Sequence, residues 1–138
     1  MSNNDVTGQP TRILHCMLRV LDLERSLHFY RDLLGMRVLR KKDYPSGRFT
    51  NVFVGYGSED SAAVVELTCN WGRTEPYDHG EAFGHVALAS PDIYTLCRRL
   101  HNHGVEITRE PGPMKDGGPE IAFLRDPDGY RIEVIQRT

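Results

Sequence analysis

Four side chains stand out for the chemistry they would do together. His15, Glu66, His85 and Glu133 each sit among apolar neighbours, in ILHCML, VVELT, FGHVAL and RIEVI. An ionised carboxylate in an apolar strand is costly unless it is paired or holds a cation. The anomaly occurs twice at matching places, since Glu66 follows His15 by 51 residues and Glu133 follows His85 by 48. Two imidazoles and two carboxylates neutralise a divalent ion, and a set without thiolates suits Ni, Zn, Co, Fe or Mn rather than a Cys-rich structural zinc. Taken singly, a buried His is more often a hydrogen-bonded core residue, and a strand Glu often lies on a solvated face. The repetition is what favours a metal.

The elements that must position these four follow from periodicity. Residues 13–20 form a mostly apolar run that suits a buried strand, in which His15, Met17 and Arg19 share one face and Cys16, Leu18 and Val20 the other. Glu66, Thr68 and Asn70 likewise share a face. Asp22 is placed to cap a helix carrying Leu23, Leu27, Tyr30 and Leu34, which Gly35 ends. Strands are predicted over 37–41, 50–56 and 62–68. The second half repeats this order: a strand over 85–89, Ser90 as N-cap with Pro91 at the first helical position, a helix through Ile93, Leu96 and Leu100, a stop at Gly104, and strands over 106–110, 120–124 and 131–136. One βαβββ unit thus occurs twice, which predicts an α+β fold of paired modules. Residues 1–11 read as a disordered leader, and 12–136 as a single domain with modules of about 12–70 and 83–136, joined by a linker over 72–82. A helix laid on one face of a four-stranded sheet leaves the other face free to line a site.

Composition narrows the function classes. The 138 residues are 39% apolar and 26% charged, with 17 basic against 19 acidic side chains and a net charge of -2. That is an ordinary globular composition. The basic run Arg40, Lys41, Lys42 is ended by Asp43, too short for a nucleic-acid surface. No apolar stretch approaches a membrane span and the N-terminus lacks signal-peptide features, so neither membrane nor nucleic acid is an expected partner and a cytoplasmic location is expected. Cys16, Cys69 and Cys97 are odd in number and lack CxxC spacing, which points to small core residues rather than disulfides.

The segments LHCMLRVLDLERSLHFYRDLLGMRVLRK, VGYG, VVELTCNWG, FGHVAL and IAFLRDPDGYRIEVIQ resemble bacterial glyoxalase I, a family of the vicinal-oxygen-chelate superfamily, and the resemblance runs from about Arg12 to Gln136. It implies metal ligation by His15, Glu66, His85 and Glu133, and a homodimer with sites at the interface. It also implies lactoylglutathione lyase activity: isomerisation of the glutathione-methylglyoxal hemithioacetal to S-D-lactoylglutathione, through an enediolate whose oxygens the metal stabilises. Glu133 is the candidate base, with Glu66 assisting. Arg19 and Asn70 lie four residues beyond His15 and Glu66, roughly 13 Å along their strands, a reach that suits the glutathione tripeptide. An exposed strand-end Arg and a turn Asn are the plainer readings of those two. Lys115, in a loop over 112–118, is a further substrate-binding candidate. The chain lacks the long extra segments of zinc-using eukaryotic relatives, so Ni or Co is favoured and Zn remains possible. Glu81 stands where some relatives carry an Arg for the substrate carboxylate. The alternatives are another enzyme of the superfamily, an epimerase or a dioxygenase, and a metal-free drug-binding module.

Smaller features have structural readings. Asp126-Pro127-Asp128-Gly129 is a turn whose Pro and Gly set the backbone, and Gly55-Tyr56-Gly57 is a hairpin turn rather than a phosphate loop. His101 and His103 fall at a helix C-terminus, and Trp71 suits packing or a dimer contact.

Overall fold

Each half of the chain builds one four-stranded sheet with a helix against one face. In the computed structural model, which describes residues 7–138, the first half runs β1 (His15–Arg19), α1 (Leu23–Leu27) with a π-helical continuation over His28–Leu33, β2 (Arg37–Tyr44), β3 (Phe49–Gly55) and β4 (Val64–Asn70). The second half runs β5 (Val86–Ser90), α2 (Ile93–Asn102), β6 (Ile107–Pro113), β7 (Glu120–Arg125) and β8 (Arg131–Gln136). Strand orders are β1-β4-β3-β2 and β5-β8-β7-β6, with the first pair of each parallel and the rest antiparallel. This is the expected α+β pair of βαβββ modules. Of the leader, residues 1–6 lie outside the described residues, and 7–11 are exposed and in neither helix nor strand.

The helix signals hold in the first module and slip in the second. The Asp22 carboxylate accepts from the Arg25 N–H at 3.2 Å, capping α1. In α2 the cap is Asp92, not Ser90: its carboxylate accepts from the Thr95 N–H at 3.1 Å and from the Thr95 hydroxyl at 2.7 Å. Ser90 is instead the last residue of β5, and its carbonyl accepts from the Arg137 N–H, so the sheet retains the residue predicted to start the helix. Pro91 accordingly precedes the cap rather than opening the helix. Gly35 (φ 75°) and Gly104 (φ 81°) end their helices in the left-handed region that a side chain would resist.

The first helix departs from simple periodicity. The Leu34 N–H bonds the Phe29 carbonyl, five residues back, within the widened π-helical stretch. That widening buries the adjacent Phe29 and Tyr30 together. The packed faces of the sheets supply Leu18, Val20, Val52, Val54, Val65 and Leu67 from the first module, and Ala122, Leu124, Ile132 and Val134 from the second, to one hydrophobic cluster. Leu33, Ile93, Cys97 and Leu100 join it from the helices.

The Asp126-Gly129 turn does more than reverse the chain. The buried Asp126 accepts from the Tyr30 hydroxyl at 2.6 Å and from the Tyr130 N–H at 2.8 Å. Asp128 accepts from the Leu21 N–H at 3.0 Å and pairs with Arg25 at 3.3 Å. The turn of one module is thereby bonded to the first strand end and helix of the other. Burial pushes the Asp126 carboxyl above the usual carboxylate range, and burial with the neighbouring Asp126 raises the Tyr30 phenol well above its ordinary value.

Candidate metal and substrate site

The sheet faces turned away from the helices carry the four candidate ligands. In the first module the parallel register sets Met17 beside Glu66, and the antiparallel one sets Phe53 on the other side of Glu66. His15 opens β1, and its Nε2 lies 3.1 Å from Glu66 Oε1. In the second module Ala87 and Phe123 flank Glu133, and His85, immediately before β5, brings Nε2 to 3.1 Å from Glu133 Oε1. The Glu side chains are both 14% exposed and the His side chains 32% and 38%, so each pair is half sunk and open on one side.

Each pair has the same neighbours. The His15 ring meets the edge of Phe53 at 5.1 Å between centroids, and His85 meets Phe123 at 5.3 Å. The other partner of each ring is a guanidinium: Arg40 over Phe53 at 3.7 Å and Arg131 over Phe123 at 4.6 Å. Arg40 is tied to Glu59 by two bonds of 2.8 and 3.1 Å, which hold the Glu59 carboxyl below its ordinary value. Phe53 and Phe123 are set beside the glutamates by hairpin register, with period-2 alternation along β3 and β7 as their signal, whereas Arg131 shares the face of Glu133 two residues before it on β8.

The donor chemistry fits a divalent metal, with one imidazole nitrogen and one carboxylate per sheet and no thiolate nearby. Among the described residues no group of three or more His, Cys, Asp or Glu gathers at one place. The fold therefore brings the four predicted ligands together as two pairs, not as one cluster within a chain.

The substrate-handling candidates sit on the first sheet and beyond it. Arg19 is the exposed last residue of β1, and Asn70 the half-buried last residue of β4. The Tyr130 hydroxyl donates to the Arg19 carbonyl at 2.8 Å, and the Tyr130 ring stacks on His79 at 4.0 Å. Lys115 is exposed in the turn between β6 and β7. Gly112 and Pro113, expected in that loop, belong to β6 instead. Trp71 is half-buried, its Nε1 donating to Thr50 Oγ1 at 2.8 Å, and His103 caps the end of α2.

Residues 12–134 match the family model of the Glyoxalase/Bleomycin resistance protein/Dioxygenase superfamily. A probable lactoylglutathione lyase of Synechocystis sp. strain PCC 6803 is 60% identical over 126 residues, 91% of this chain and 95% of that protein. The chain belongs to the glyoxalase I family. A lactoylglutathione lyase of Neisseria meningitidis serogroup B is 56% identical over 91% of each chain. Among solved structures, glyoxalase I from Zea mays superposes with a TM-score of 0.87 at 48% identity, covering 92% of this chain and 45% of that one. The chain thus spans about half the length of the maize protein. The trypanothione-dependent glyoxalase I of Leishmania major gives a TM-score of 0.82 at 47% identity, covering 91% of this chain and 86% of that one. Glyoxalase I enzymes are in general metal-dependent, in keeping with the donor set.

Proposed function

We propose that this chain isomerises the hemithioacetal of glutathione and methylglyoxal to S-D-lactoylglutathione at a divalent metal held by His15, Glu66, His85 and Glu133. Lactoylglutathione lyase activity, and with it methylglyoxal detoxification, is the activity of the glyoxalase I family to which the chain belongs. The drug-binding and dioxygenase alternatives give way to that membership. The observation that carries the metal assignment is the pair of matched His–Glu contacts, each 3.1 Å long.

The two pairs lie on separate sheets, and no third ligand joins either among the described residues. We assign a complete site to a homodimer, in which one copy's first-module pair faces the other copy's second-module pair. Residues 12–136 act in it as one domain, and the cytoplasm is the location in keeping with a glutathione substrate. A metal bound there supplies Lewis-acid stabilisation of negative charge developing on the substrate oxygens, with Ni or Co favoured over Zn.

The protein side chains do the rest. Glu133 takes the proton from the carbon beside the carbonyl and returns it to the neighbouring carbon, while the hydroxyl proton passes from one substrate oxygen to the other. Phe123, against its strand neighbour, limits water around that carboxylate. Glu66 assists from the other face. Arg19 grips a glutathione carboxylate, Asn70 donates to the same glutathione moiety and Lys115 meets an anionic group as its turn approaches.

The test is turnover of preformed hemithioacetal after chelation and dialysis, then after adding Ni, Co or Zn separately. Activity is expected to vanish on chelation and to return most fully with Ni or Co. Full activity in verified metal-free protein, or none with any of the three, overturns the assignment.

A further inference from the structure

The segment joining the modules carries a contact that the mechanism above does not use. The Tyr77 hydroxyl donates to Asn70 Oδ1 at 3.1 Å. Tyr77 is itself held from behind, since the Arg73 guanidinium lies over its ring at 4.2 Å. Arg73 in turn donates to the Glu75 carbonyl at 2.7 Å and the Pro76 carbonyl at 3.1 Å. The tyrosine is therefore fixed by its own neighbours rather than by Asn70 alone.

Tyr77 also lines a cleft of about 230 Å³ with Met17, Arg19, His79, Phe83 and Tyr130. One side chain thus shares a cleft with Arg19 and is hydrogen-bonded to Asn70. The register places those two close together: Arg19 pairs with Thr68, so Asn70 lies one diagonal step away, roughly 8 Å at the usual strand spacing and rise.

We propose that Tyr77 is a positioning residue for substrate recognition. An amide side chain presents an acceptor oxygen and two N–H donors, and a free amide can turn either end outward. In the arrangement found, the phenol donates to the oxygen, which leaves the N–H end of Asn70 for the ligand. Asn70 and Arg19 then offer donors only, and the group that satisfies two neighbouring donor sets is a carboxylate of the substrate. This rests on the assignment of Arg19 and Asn70 to glutathione, and the experiment separates the two.

Full-length Tyr77→Phe, Asn70→Ala, Asn70→Asp and the Tyr77→Phe/Asn70→Ala pair are compared by hemithioacetal kinetics, by the Kd of S-methylglutathione and by Tm. Tyr77→Phe is expected to raise KM and Kd about three- to tenfold, with kcat within twofold and Tm nearly unchanged, as suits the loss of one hydrogen bond. In the Asn70→Ala background the Phe substitution is expected to add nothing. Asn70→Asp, which exchanges donors for charge of the substrate's own sign, is expected to raise KM above that of Asn70→Ala. If Asn70→Ala leaves KM and Kd unchanged, the glutathione assignment of Asn70 fails. If it raises them while Tyr77→Phe does not, or if the Phe effect persists undiminished in the pair or comes with a loss of Tm and kcat, the positioning role of Tyr77 is overturned.

Discussion

The two modules present the same His–Glu–Phe arrangement on different ground, with the guanidinium over the phenylalanine drawn from β2 (Arg40) in the first and from β8 (Arg131) in the second. Beyond His15 the open face of β1 continues with Met17 and Arg19; beyond His85 the corresponding residues of β5 are Ala87 and Ala89. Beyond Glu66 come Thr68 and Asn70, whereas Glu133 is followed by Ile135. The repeat has kept what would bind a metal and let the surroundings diverge. The first sheet continues with longer polar groups, Arg19 and Asn70, and the second with the smaller or apolar Ala87, Ala89 and Ile135.

The largest expected effect asks whether the modules act as halves of one site. His15→Ala and His85→Ala should each abolish turnover and each remove nearly all the metal, counted per chain by mass spectrometry after dialysis. Two independent pairs would behave differently, each substitution leaving about half the metal bound. Next comes the division of labour between the carboxylates. Glu133→Gln is expected to lower kcat by about 10²–10⁴, the scale of a lost general base, with the fold intact by circular dichroism. Glu66→Gln should cost less turnover but weaken metal binding. Equal losses of kcat would erase the asymmetry, and full metal affinity in Glu66→Gln would remove it from the ligand set.

A smaller effect tests recognition. Arg19→Ala is expected to raise KM about ten- to a hundredfold, as for a hydrogen bond to a charged group of roughly 1.5–3 kcal/mol, with kcat less affected. Lys115→Ala, on an exposed turn of the second module, should change KM only a few-fold. A larger KM effect at Lys115 than at Arg19 would move substrate recognition to the second module.

The repeat, the His and Glu positions, the Asp22 cap and the glycine stops were legible because each is a local signal or a spacing. What escaped depends on contacts that spacing does not encode. Ser90 and Asp92 are both competent caps, and the choice falls to Asp92 because β5 pairs with β8 through Ser90 and Gln136. The π-helical widening, in which the adjacent Phe29 and Tyr30 are both buried, is invisible to a 3.6-residue period. Tyr30 and Tyr130 find partners 96 and 111 residues away, and no local pattern announces them. The His–Glu pair of each module was legible as a pair, and its 3.1 Å contact follows from sheet order, which sets β1 beside β4 and β5 beside β8.

The smallest expected effect lies where the modules meet rather than where they differ. Asp126 is buried at that contact, and burial outweighs the bonds from Tyr30 and Tyr130 that favour its ionised form, so its carboxyl stays above the ordinary range. The folded chain then holds that proton more tightly than the unfolded chain. By linkage this contribution to stability is complete below the unfolded value of about 3.9 and declines as pH rises through the folded one. The exposed Asp32 and Asp92 and the half-buried Glu59, whose values are lowered by their partners, act in the opposite direction and lose their contribution as pH falls. Those three are common to the wild type and to Asp126→Asn, so the difference between the two melting curves isolates Asp126. The variant is expected to be less stable throughout, because an amide keeps only one of the two oxygens that accept from Tyr30 on one side and from the Asp128 and Tyr130 N–H groups on the other, and the gap in Tm should narrow as pH rises from about 4 towards neutrality. A gap that widens over this range would mean that the bonds to the anion outweigh its burial, and that the contact between modules is held by charge rather than despite it.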